Sequence, residues 1–66
     1  MSVVKVIEIT ASSPTSFAEA AKVGVAKAAE TVRNIKAGWV SEQSVVVEND
    51  AITEFRVTMR ISFVLD

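Results

Sequence analysis

The sequence predicts an α+β fold of order β-α-β-β, a three-stranded antiparallel-type sheet with the third strand central, packed on one helix. Three observations carry the prediction: a final stretch of alternating side chains, one amphipathic stripe at helical spacing, and one acidic turn in the C-terminal half. In the final stretch, Phe55, Val57, Met59, Ile61, Phe63 and Leu65 alternate with Glu54, Arg56, Thr58, Arg60 and Ser62. Side chains of an extended chain point to opposite faces in turn, so one face is apolar and buried while the other is polar.

The elements follow in order. Val3 to Ile9 is rich in β-branched residues and reads as the first strand. Ser13 then caps a helix whose first turn accepts Pro14, since that position lacks an intrahelical N–H partner. From Pro14 to about Asn34, the residues Phe17, Ala20, Ala21, Gly24, Ala28, Thr31, Val32 and Ile35 fall in one stripe. Most are small, which lets the helix approach the sheet closely. The opposite side offers Glu19/Lys22 and Glu30/Arg33 as i,i+3 pairs, each worth a few tenths of a kcal/mol. Val23 and Ala26 share that side as singly exposed apolar residues, which are ordinary on a protein surface. Asn34 tolerates the left-handed conformation that commonly ends a helix.

Trp39 to Glu48 reads as a second strand, and its imperfect alternation predicts a bulge or a change of buried face. Glu48-Asn49-Asp50-Ala51 is the turn signal that makes strands two and three a hairpin. The helical crossover favours strands one and two running parallel, and the hairpin makes strand three antiparallel to strand two. Placing strand three in the middle satisfies both.

Sixty-six residues make a single domain, 1–66, too short to bury a comfortable core alone. Small proteins usually compensate with disulfides, a metal or association, and this chain has neither Cys nor His. Half the residues are apolar, yet no run approaches the ~20 needed to span a membrane, so the apolar excess predicts a homo-oligomer. The net charge of −1 is not gathered into a basic patch, so neither nucleic acid nor a membrane is an expected partner. The N-terminus lacks the zones of a signal peptide, and cytoplasm is the expected compartment.

Without His, Cys or Tyr the usual nucleophiles and near-neutral acid–base groups are missing, and the sequence is not read as an enzyme's. Ser12-Ser13 reads as a cap rather than a nucleophile, and Gly24 and Gly38 form no phosphate loop. Glu48, Asn49 and Asp50 offer hard oxygen ligands, but they are too few for a calcium site in one chain, and a solvated turn is the preferred reading. Trp39 with Arg56 suits a planar, partly polar ligand through stacking and hydrogen bonding. From the residues alone the preferred reading makes Trp39 a subunit-interface residue and pairs Arg56 with Glu42 or Glu54.

Ser12-Ser13-Pro14, the segment from Gly24 to Arg33, and the run from Phe55 to Leu65 together, in this order and spacing, resemble the dodecins. These are small strand-helix-strand-strand proteins that assemble as hollow shells of twelve subunits and commonly bind flavins. The resemblance implies a homo-oligomeric shell, a homododecamer, that binds or stores riboflavin or FMN. In flavin-binding members a Trp shortly after the helix stacks on the isoalloxazine ring and a Gln on the last strand bonds its polar edge. With the helix aligned without gaps, Ala37 stands at the Trp position and Arg56 at the Gln position. Trp39 then shares the face of Ala37, displaced by roughly 7 Å. The flavin contacts so implied are Ala37, Trp39 and Arg56, with Arg56 favouring anionic groups. Other dodecin-like proteins lack the flavin constellation and are associated with metal ions, which makes a structural or calcium-type shell the alternative.

Overall fold

The central strand of the sheet is the last in the chain. A computed structural model describes residues 2–65 as β1 (Val3–Ser13), α1 (Phe17–Ala28), β2 (Ile35–Glu48) and β3 (Ala51–Leu65). The sheet order is β1-β3-β2, and both outer strands run antiparallel to β3, as predicted. β1 runs on past Ile9 to Ser13, because Thr10 to Ser13 continue the ladder opposite Thr58 to Phe55. Thr10 Oγ1 and Thr58 Oγ1 lie 3.3 Å apart across it.

The helix begins later and ends earlier than predicted. Ser13 is the last residue of β1; its Oγ accepts the Thr15 N–H at 3.0 Å and lies 2.8 Å from Thr15 Oγ1, a local turn in place of a cap. Ser16, extended at φ −168°, interrupts any helix begun at Pro14 and is itself the cap, with Oγ accepting the Glu19 N–H at 3.0 Å. Ser16-Phe17-Ala18-Glu19 has capping-box spacing and sets an acidic residue in the first turn, where the helix dipole favours it. After Ala28 the bonds tighten: the N–H groups of Glu30 and Thr31 reach back only three residues, to Lys27 and Ala28. Thr31, Val32 and Ile35 therefore leave the predicted stripe. Arg33 falls outside the helix, and Glu30 pairs instead with Lys27 at 3.4 Å; Glu19 and Lys22 form no ion pair. Asn34 is left-handed at φ 62° as expected, but it serves the entry to β2, where its carbonyl accepts the Val64 N–H.

The core lies between α1 and one face of β3. Ala20, Val57 and Met59 pack together with Ile9, Ala11, Phe17 and Ala21 around them, and Ile61 is fully buried. Small helix residues make room for bulky strand residues. A Cβ on Gly24 would stand 3.0 Å from Ala11 Cβ and 3.1 Å from Ile9 Cδ1, so this glycine is the point of closest approach. Phe17 meets Phe55 edge to face at 5.1 Å, fastening the helix start to the hairpin.

The hairpin turn has Asn49 at φ 52° and Asp50 at φ 64°, the two left-handed positions that match strand twist. The predicted irregularity of β2 resolves into three register shifts. Thr53 is the extra residue on β3, Ser41 and Lys36 those on β2. Hydroxyls close each shift: Thr53 Oγ1 donates to Val46 O at 3.3 Å, Ser41 Oγ to Thr58 O at 3.1 Å, and Ser62 Oγ to Ala37 O at 3.4 Å. Among the described residues no helix is long and apolar enough to cross a membrane.

Candidate functional site

The face of the sheet away from α1 is ordered in rows across three strands, because residues directly opposite in an antiparallel pair share a face. Arg60 of β3 lies between Glu8 of β1 and Trp39 of β2. Thr58 lies between Thr10 and Glu42, Arg56 between Ser12 and Ser44, and Ser62 between Val6 and Ala37. Ala37 and Trp39 thus share one face, as the sequence predicts, in consecutive rows. Arg56 is on that face too, but four residues from Arg60 along β3, roughly 13 Å from the Trp39 row. Within one protomer the structure brings together Ala37, Trp39 and Arg60, with Arg56 at a distance.

Trp39 is 46% exposed, its ring standing on the open face rather than in the core. Each arginine of this face has a carboxylate beside it. Arg60 Nε is 3.6 Å from Glu8 Oε2, and Arg56 Nε is 3.9 Å from Glu54 Oε1. Of the two predicted alternatives for Arg56, Glu54 is the partner, while Glu42 sits opposite Thr58. All four side chains are about half exposed, so water screens each pair to between 0 and about 1 kcal/mol. The face is therefore an open platform holding one aromatic ring, two compensated cations and a scatter of hydroxyls.

Sequence reasoning missed Arg60 and Glu8. The signal was available: Thr53 adds a residue to β3 and Ser41 adds one to β2, so the two bulges offset each other. Counting outward from the Asn49-Asp50 turn without any bulge places Trp39 opposite Arg60.

Two other regions bear on function. Among the described residues no three His, Cys, Asp or Glu side chains gather to hold a metal ion. Glu48, Asn49 and Asp50 occupy the hairpin tip and its approach. On the helix side, an open groove of about 630 Å³ runs along β1, with Ile7, Ile9, Ala11, Val23 and Gly24 among its lining. It lies across the sheet from Trp39 and is a separate feature.

The dodecin family model matches residues 3–66 of this sequence, almost the whole chain. The chain belongs to the dodecin family. Over 63 residues it is 38% identical to the calcium dodecin of Mycobacterium tuberculosis (strain ATCC 25618 / H37Rv), covering 96% of this chain and 89% of that protein. The crystal structure of the calcium dodecin from Mycobacterium tuberculosis superposes with a TM-score of 0.86 at 34% identity, over 97% of this chain and 91% of that one. The dodecin from Streptomyces davaonensis superposes with a TM-score of 0.95 at 28% identity, over 98% of this chain and 96% of that one. This dodecin thus keeps the family's strand order and helix placement.

Proposed function

We propose that this dodecin is a cytoplasmic binding and storage protein rather than an enzyme, a homo-oligomeric shell that sequesters riboflavin or FMN against Trp39 on the helix-free face. The observation that carries the reading is the placement of Trp39: a half-exposed ring on an open sheet face, with Ala37 in the adjoining row leaving space beside it. A stacked isoalloxazine ring would cover the exposed indole and be shielded in turn from water. Arg60, opposite Trp39, is the donor nearest the ring, and Arg56 lies farther along the same face. Binding is also the chemistry that a chain without His, Cys or Tyr can perform.

Assembly into a shell, with a dodecamer as the family's form, is supported by the surface. The protomer exposes 4772 Å², against about 4,100 Å² for a compact monomer of 7.1 kDa. Val3, Val4 and Val6 on β1, Val23 on α1, and Val47 and Ile52 on the hairpin all stand open. Association is the physical means of covering them.

A second reading, a shell that binds calcium, is favoured by the 38% identity to the calcium dodecin. It needs carboxylates from more than one protomer, since no acidic cluster forms within one among the described residues.

One experiment separates the readings. Riboflavin or FMN is added to purified protein while Trp39 and flavin emission are followed, and light scattering reports particle mass. Quenching at micromolar protein and a particle many times the protomer mass are expected. A monomer-sized particle contradicts the shell. Absence of quenching together with a calcium-dependent rise in Tm shifts the assignment to the second reading.

A further inference from the structure

The ion pair beside Trp39 has no part in the core and none in the turns. Glu8 and Arg60 are 58% and 54% exposed, and at 3.6 Å their mutual attraction adds little to stability. Their influence on a ligand is another matter. The row that holds Trp39 contains Arg60 and Glu8 as its only other members, and the adjoining row on the hairpin side adds Glu42 beside Thr58 and Thr10. The row on the other side, Val6, Ser62 and Ala37, is uncharged. The charged side chains around the indole are therefore two carboxylates and one guanidinium.

We infer that Glu8 sets the ligand selectivity of the Trp39 face: by compensating Arg60 it makes the face accept uncharged planar ligands and turn anionic ones away. Applied to the flavin reading above, on which this application rests, the face takes riboflavin ahead of its phosphorylated form. Arg56 does not reverse the preference, because Glu54 compensates it in the same way and it lies two rows off. Without Glu8, Arg60 is balanced only by Glu42 of the adjoining row, the charge around the indole rises from −1 to zero, and the preference against anions is lost. Glu8 acts here through Arg60 and is a positioning and charge-setting residue.

The test uses two collisional quenchers of Trp39, the only Trp, in the intact assembly at low salt. Iodide reports the local charge and neutral acrylamide reports access. One unit charge at ~7 Å in water-like surroundings changes a local anion concentration about twofold. Glu8→Gln should therefore raise the iodide quenching constant about twofold and leave the acrylamide constant unchanged. Glu8→Asp, which keeps the charge, should restore the iodide value, and Arg60→Gln should lower it. The Kd ratio of FMN to riboflavin should fall about threefold in Glu8→Gln, with the change vanishing at high salt. Iodide and acrylamide constants that move together, or an iodide constant that does not move in either variant, overturn the inference. If no flavin binds any form while the iodide constants shift as stated, the flavin reading fails and the role of Glu8 stands.

Discussion

The two faces of one strand behave as two different proteins. On β3, Val57, Met59 and Ile61 face α1 and are buried, while Arg56 and Arg60, one residue away in each case, are exposed on the other side. Alternation alone does not produce this contrast, because both faces of β2 stay largely open. What produces it is α1, which covers one face only and reaches it closely through Ala20 and Gly24. The covered face holds the fold together. The open face is where the chain has freedom to place an aromatic ring beside charges without endangering its core.

The contrast can be broken most severely from the covered side. Ile61 is fully buried on β3, so Ile61→Ala should cost about 3 kcal/mol in urea denaturation through lost burial and the cavity left behind. A loss below about 1 kcal/mol would mean that the packing against the sheet is loose. Next is Gly24→Val, which presses side-chain atoms into Ala11 and Ile9 and should cost about 2 kcal/mol by forcing the helix away from β1. A smaller effect is expected from Ser16→Ala, about 1 kcal/mol from the lost cap, measured as a lowered Tm. If Ser16→Ala is silent, the helix does not start where Ser16 and Glu19 place it.

The covered face was the more legible of the two in the sequence. Phe55 to Leu65 announced a buried side by strict alternation, and Asn49-Asp50 announced the hairpin, which together put β3 in the middle. The helix limits were harder. Ser13-Pro14 imitates a helix start, and Ser16 three residues on has the same chemistry with Glu19 to complete it. Thr31 and Val32 keep helical spacing beyond Ala28, although their bonds have already tightened into turns. On the open face, Trp39 and Ala37 were legible as a shared side, and a count from the turn sets Arg60 opposite Trp39 because the bulges at Thr53 and Ser41 offset each other; Glu8 was not legible, because it arrives on a strand from the other end of the chain. Which residues face each other across strands is a property of register, and register here is carried by hydroxyls of Thr53 and Ser41 that composition does not single out.

The central claim is that the open face binds through Trp39, and a titration of riboflavin into the wild type and Trp39→Ala, read by flavin fluorescence, tests it most directly. The wild type should quench the flavin at micromolar protein. Trp39→Ala should keep its assembly and bind at least about fivefold more weakly, since base-like ring stacking is worth about 1–3 kcal/mol. Equal affinity in the two proteins, or no quenching by the wild type, would contradict the account.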